Sequence, residues 1–365
     1  MLGLYVHIPF CKSICSYCDF NKQLCYSNKQ IREYIDALKK EIEKYRDYFN
    51  NIQTIYIGGG TPNSISLNLL DELLSFIDSY KNNIIEYTIE VNPELLSVEQ
   101  IKCFLKHGIN RISIGVQSFD SKVIEAIRRH HNKEIVLKAI NNCHMLGLNN
   151  INIDMMYGLP KQDLASLQND LAIIKDLNIK HISYYSLILE DKTILSYELN
   201  NKLITIPDDD LTADMNDIVT KKLQDFGYIR YEISNYARSD YQSKHNLLYW
   251  NKEEYIGVGM AATSYVNHIR WTNTTNISKY ISGINLQIIE KLSIEDEKKE
   301  FFLMGLRKIN GVNINEYYNK YNENPILKFN LNKWINNGLL EIDNSYLKFT
   351  KKGINLGNIV FEEFI

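Results

Sequence analysis

Leu4-Tyr5-Val6-His7-Ile8-Pro9-Phe10-Cys11-Lys12-Ser13-Ile14-Cys15-Ser16-Tyr17-Cys18 is the stretch that decides the fold. Its first five residues form an apolar, β-branched run that reads as a strand. It closes on Cys11-x-x-x-Cys15-x-x-Cys18. Three thiolates at this spacing can hold three irons of a 4Fe–4S cluster and leave the fourth iron open. An open iron can chelate a small molecule through its amino and carboxylate groups. S-adenosylmethionine (SAM) offers such groups, and an electron passed to its sulfonium splits it and releases a carbon-centred radical. Spacing alone leaves zinc open, with Cys25 or His7 as a fourth ligand. A disulfide fits less well, because nothing marks the chain as secreted. Cys103 and Cys143 fall inside helical patterns and read as small buried hydrophobes.

Outward from this stretch runs a strand–helix rhythm. Further strands are expected at Thr54–Ile57, Tyr87–Val91, Arg111–Val116, Ile151–Met155 and His181–Ile188. Helical periodicity fills the intervals at Lys29–Phe49, Ser66–Tyr80, Val98–His107, Lys133–Gly147 and Leu164–Leu177. Six such units imply a parallel sheet with right-handed crossovers, its strands poor in polar residues and buried on both faces. A curled six-unit barrel and a doubly wound sheet both satisfy the pattern. In either, the active site belongs at the carboxyl ends of the strands. The rhythm covers 1–206. A helix then runs from Pro207 to Phe226, and short strands and turns follow to 290. From 291 to 365 the pattern is mainly helical with a β-ribbon at Leu339–Phe349, which predicts a small winged-helix-like C-terminal domain.

The 365 residues carry a formal net charge of −3, which gives no basic footprint for nucleic acid. No apolar run approaches the roughly 18 residues a membrane span needs. The chain opens without a basic or apolar leader, so its six cysteines indicate a reducing cytosol.

Candidate site residues collect at the strand ends. Gly58-Gly59-Gly60-Thr61 follows the second strand and lets backbone approach a ligand closely. Glu90 and Asn92 end the third strand, Gln117 the fourth and Asp154 the fifth. A carboxylate there can bind an ammonium or a ribose, but a solvated rim residue is the plainer alternative. Arg128-Arg129 can grip a carboxylate in a bidentate pair or end a solvated helix. Further on stands His245-Asn246-Leu247-Leu248-Tyr249-Trp250. A histidine is a common axial ligand of haem iron, and the two aromatic rings offer flat faces for a macrocycle.

Together these residues resemble the radical-SAM family of oxygen-independent coproporphyrinogen III oxidase-like proteins, and most closely its haem-chaperone branch. The resemblance rests on Tyr5-Val-His-Ile-Pro-Phe-Cys11, Cys15-Ser-Tyr-Cys18-Asp-Phe20 and Tyr56-Ile-Gly-Gly-Gly-Thr-Pro62. It continues through Ile114-Gly-Val-Gln-Ser-Phe119, Asn152-Ile-Asp154-Met-Met-Tyr-Gly-Leu-Pro160 and Tyr231-Glu-Ile-Ser-Asn-Tyr236. It covers the chain from Tyr5 to about Trp271.

The resemblance implies an α/β fold, a partial (β/α)6 barrel with a smaller, mainly helical C-terminal domain. It implies that Cys11, Cys15 and Cys18 ligate the 4Fe–4S cluster. It further implies that Tyr5, Tyr17, Gly59, Gly60, Thr61, Glu90, Gln117, Arg129, Asp154 and Ile188 line the SAM site. Three features favour the chaperone branch over the oxidase. The chain begins ten residues before Cys11, the position two after Cys18 is Phe20 where the oxidase carries another cysteine, and His245-Asn246-x-x-Tyr249-Trp250 looks like a haem-binding motif. The expected function is to bind haem as cargo and deliver it to a membrane-bound respiratory haem protein, in the cytoplasm or at the inner face of the membrane. An electron donor to the cluster is expected as well. The alternative is decarboxylation of coproporphyrinogen III propionates by a 5′-deoxyadenosyl radical. One departure stands out: Thr263 occupies a position where relatives often carry a histidine.

Overall fold

The computed structural model describes residues 1–24, 27–285 and 287–365; Cys25, one candidate fourth ligand, lies outside them. Six strands are laid down in turn: β1 (Leu2–Ile8), β2 (Ile52–Gly59), β3 (Glu86–Val91), β4 (Arg111–Gln117), β5 (Ile151–Tyr157) and β6 (His181–Ser186). All are parallel, and their order in space follows their order in the chain. A doubly wound sheet reverses direction at a switch point. This one does not, so it is wound as a barrel wall.

The sheet continues past both ends of that wall. β8 (Asn235–Ala237) adds antiparallel to β6, and β7 (Ile229–Arg230) adds antiparallel to β8. β9 (Glu254–Val258) lies parallel to the other edge of β1 and leads to β10 (Thr263–Val266), β11 (Ile269–Thr272) and β12 (Ile288–Lys291). Twelve strands thus form one open sheet in the order β12-β11-β10-β9-β1-β2-β3-β4-β5-β6-β8-β7.

Alternation along each strand sorts the residues onto two faces. Leu4, Val6, Ile55, Ile57, Ile89, Ile112, Ile114 and Ile153 face the flanking helices and are buried in one apolar core. The opposite face carries Tyr5, Tyr56, Glu86, Thr88, Glu90, Arg111, Ser113, Asn152, Asp154 and Ser183. The strands are buried on both faces, as expected, but the inner face is polar. Its groups survive burial by bonding one another, since an unpaired buried polar group is costly. Asn152 Nδ2 donates to Ser113 Oγ (2.7 Å) and Asp154 Oδ1 (2.8 Å), and Ser113 Oγ donates to Asp154 Oδ2 (2.9 Å).

The flanking helices start where capping chemistry places them. Ser27, Ser97 and Asp163 each cap a helix in a reciprocal box with the residue three positions on. The first core draws residues from Leu2 to Tyr280, so the segment 207–290 packs into the same interior as the strands before it. A second core, Phe302 to Phe364, belongs to the C-terminal helices and a three-stranded sheet of Val312–Asn313, Leu340–Asp343 and Tyr346–Phe349. Among the described residues no helix is long and apolar enough to cross a membrane.

Candidate cofactor site

The cysteine loop leaves β1 at its carboxyl end and closes over one mouth of the barrel wall. Cys11, Cys15 and Cys18 are free thiols, each half-buried, and all three line one cleft. Two polar groups aim at the sulfurs. Thr61 Oγ1 donates toward Cys11 Sγ at 3.4 Å, and Arg129 Nη1 toward Cys15 Sγ at 3.5 Å. Burial pushes the Cys11 and Cys18 thiols up. The Thr61 hydroxyl at Cys11 and the Lys22 ammonium at Cys18 pull the other way.

The cleft wall opposite the cysteines is built from strand ends. Gly59, Gly60, Thr61, Glu90, Gln117, Arg129, Asp154 and Tyr17 all line it. Glu90 Oε1 accepts from the Tyr56 hydroxyl (2.7 Å) and Oε2 from Gly59 N (3.1 Å). Burial, with the Asp154 charge adding to it, raises the Glu90 carboxyl to about 7. Burial raises Asp154 too, against its bonds to Ser113 and Asn152. Gly60 is required on steric grounds, because a Cβ would stand 2.6 Å from Pro9 O and 2.9 Å from Cys11 Sγ. Arg129 Nη2 is fixed by Gly115 O (2.7 Å) and Asn92 Oδ1 (3.0 Å), while Arg128 turns outward to Glu198. Gln117 takes a left-handed φ of 63°, and its buried Oε1 has no hydrogen-bond partner among the described residues. Asp154 is central in β5, not at its end, since the strand runs to Tyr157.

Two expected residues sit elsewhere. Ile188 lies beyond β6, 71% exposed, and is not part of the cleft wall. Tyr5 faces a second cavity beside the first, with its hydroxyl 2.9 Å from His7 Nδ1. His7 Nε2 is 2.8 Å from Asn21 O, so both ring nitrogens face protein partners. Sequence reading passed over Tyr56, Ser113, Asn152, Ser183 and Tyr185, all of which line the cleft. Their signal was present: each stands an even number of residues from another inner-face residue on its strand.

The helix Lys244–Trp250 stands between the two cavities. Glu86 at the start of β3 holds its N-terminus, accepting from Lys244 N (2.8 Å), His245 N (3.0 Å) and Ser243 Oγ (3.3 Å). His245 is 1% exposed. Its Nδ1 lies 2.8 Å from Thr54 Oγ1, its Nε2 2.9 Å from the Tyr249 hydroxyl, and its ring stacks on Tyr56 at 5.2 Å. Burial, helped by the Arg111 charge, lowers its pKa to about 3, so the imidazole is neutral. Asn246 reaches the cysteine cleft. Tyr249 reaches the second cavity with Tyr5, Tyr255, Phe20 and Thr263. Trp250 points away from both, under the Arg307 guanidinium at 5.0 Å.

This barrel wall, with three cysteines in the loop after its first strand, defines a radical-SAM protein. Residues 5–173 match the Radical SAM superfamily and residues 292–356 the HemN C-terminal domain. Heme chaperone HemW of Lactococcus lactis is 37% identical over 371 residues, covering 99% of this chain and 96% of the relative. Heme chaperone HemW of Bacillus subtilis is 34% identical, covering 100% and 99%. The structure of coproporphyrinogen III oxidase (HemN) from Escherichia coli superposes with a TM-score of 0.86 at 22% identity, over 100% of this chain and 89% of that one. The chain belongs to the radical-SAM family whose curated members carry the name heme chaperone HemW.

Membership implies a 4Fe–4S cluster and SAM, and Cys11, Cys15 and Cys18 are the cysteines at the matching spacing. The residues present fit both groups. Three free thiols converge on one cleft, glycine keeps the wall clear of Cβ atoms beside Cys11, and the buried Gln117 Oε1 awaits a donor. When bound, the cluster supplies the electron that cleaves a sulfonium.

Proposed function

We propose that the chain binds haem in the cavity beside its cluster cleft and hands it to a membrane-bound haem protein. The observation that carries this reading is the double exposure of one short helix: Asn246 faces the cluster cleft, and Tyr249, one turn on, faces the neighbouring cavity. Tyr5, Tyr249 and Tyr255 wall that cavity with ring faces suited to a flat macrocycle. Its full-length relatives carry the name heme chaperone, which supports the haem-binding part of the reading.

In this reading the chain's own residues divide the work. Cys11, Cys15 and Cys18 hold the cluster. Glu90 and Asp154 meet the cationic and hydroxylated parts of SAM, and Gly59 and Gly60 let it lie against backbone. Tyr249 lines the haem cavity, and the buried His245 fixes its hydroxyl through Nε2. Thr263 contributes a hydroxyl, 2.9 Å from Thr272 Oγ1, in place of a family histidine. Outside the expected motif, Phe20 borders both cavities.

An anaerobic haem titration of cluster-loaded protein tests the reading. Saturable one-to-one binding is expected, weakened in Tyr249→Phe and His245→Gln. Absence of haem binding by the loaded wild type overturns it. The fully built cleft around Glu90 and Asp154 favours a second reading, radical decarboxylation of a porphyrinogen. That one requires 5′-deoxyadenosine release that depends on added coproporphyrinogen III.

A further inference from the structure

Away from the cleft, on the helical layer outside the barrel wall, three unlike donor atoms meet. Asp71 lies on the helix Leu67–Asp78. Cys103 lies on the helix Val98–Lys106, and His107 caps that helix. Asp71 Oδ1 is 3.4 Å from Cys103 Sγ and 2.8 Å from His107 Nε2, and the three ligand atoms all fall within 4.8 Å of one another. None of the three lines the cysteine cleft. We propose that Asp71, Cys103 and His107 form a binding site for a borderline divalent transition-metal ion, zinc by preference, with a fourth position open to water.

Ligand chemistry and geometry support this assignment. Thiolate, imidazole and carboxylate are zinc's three protein ligand types, with bonds of about 2.0–2.3 Å. Three such atoms around one ion stand roughly 3–4 Å apart, close to the spacing found here. The mixture excludes magnesium and calcium, which take oxygen. The second support lies outside the trio. Asp78 Oδ2 is 2.6 Å from His107 Nδ1, the carboxylate–histidine relay that orients a ligating imidazole and leaves Nε2 for the metal. Cys103 and His107 are buried, and Asp71 is partly exposed, so an ion enters from the Asp71 side. Two ammonium groups oppose it: Lys106, whose Nζ sits 2.8 Å from Asp71 Oδ1 on a side chain largely in solvent and free to swing out, and Lys81, which pairs with Asp78 Oδ1 at 2.5 Å and leaves Asp71 alone. Binding replaces the Cys103 thiol proton with the metal and releases that proton to water.

The test is zinc content and affinity of the full chain, cluster loaded and anaerobic, by equilibrium dialysis against zinc chloride with iron measured in parallel. One zinc per chain is expected. Cys103→Ser and His107→Gln should each weaken binding at least about tenfold, and Asp78→Asn by about tenfold, with iron unchanged. Lys106→Met should tighten it, a gain that a purely structural hydrogen-bond cluster does not produce and that needs no ligand removed. Zinc uptake indifferent to Cys103→Ser and His107→Gln, or no saturable uptake by either wild type or Lys106→Met, overturns the proposal.

Discussion

The Tyr56 hydroxyl donates to Glu90 Oε1 across 2.7 Å, and the same tyrosine ring lies flat against His245. One side chain therefore joins the acidic wall of the cluster cleft directly to the imidazole on the Lys244–Trp250 helix. Three consequences of this neighbourhood can be measured, and a fourth concerns the loop above it.

Glu90 is the first. Burial and the Asp154 charge hold its carboxyl near 7, above the ordinary range. A cationic amine binds its deprotonated form, so SAM affinity should rise as pH rises through about 7. Glu90→Gln should bind SAM weakly, by about tenfold or more for a lost charge-assisted bond, with no pH slope across that window. Calorimetric SAM titrations at pH 6 and 8 decide it, and an equal slope in the variant sinks the assignment.

His245 titrates in the opposite sense. Its folded pKa, lowered to about 3 by burial and by Arg111, lies below the ordinary 6.5. The unfolded chain binds the proton first, so this contribution to stability is present above about 6.5 and is lost as pH falls toward 3. The slope for one such group is about 1.4 kcal/mol per pH unit. Denaturant unfolding of wild type and His245→Gln should converge by roughly that amount per unit between pH 6.5 and 4.5. Parallel curves would show that another group sets the acid limb.

Glu86 anchors the helix that carries His245 through three hydrogen bonds. Glu86→Ala leaves Lys244 N and His245 N without their acceptor, at a cost of about 1–3 kcal/mol per buried unsatisfied group. Hydrogen exchange should quicken across 244–250 and stay unchanged in β5 and β6. Uniform quickening would mean that Glu86 stabilises the whole chain, not this helix.

The Gly60 position tests the loop. A methyl group there meets Pro9 O at 2.6 Å and Cys11 Sγ at 2.9 Å. Gly60→Ala should cost about 1–3 kcal/mol through overpacking and lower the iron bound after reconstitution. Full iron content in a stable variant would show that the loop yields without harm.

Much of this was legible from residues alone. All six strands and five helices of the wall lie where β-branched runs and helical periodicity put them, because both patterns are local. The cysteine loop announces itself through spacing. What stayed hidden depends on partners distant in the chain. Nothing local says that Glu254–Val258 lies against β1, two hundred and fifty residues earlier. The polar inner face was readable in principle, since Ser113, Asn152 and Ser183 alternate with isoleucines. His245 carries the same letter whether it faces a cavity or a threonine hydroxyl, and only the register of its helix against β2 decides. Cys103 looked like a small apolar filler, yet its sulfur faces a carboxylate supplied by the neighbouring helix.

β3 begins at Glu86 and ends beside Glu90. Four residues of extended chain measure roughly 13 Å, and parallel neighbours clamp this strand on both sides. The strand thus acts as a ruler, with the N-terminus of the Lys244–Trp250 helix fastened at one mark and the Glu90 carboxylate at the other. Neither can approach the other without tearing the sheet. Between the two marks stands Tyr56, which touches the Glu90 carboxylate and the His245 ring at once, so a change at either end reaches the other through that one side chain.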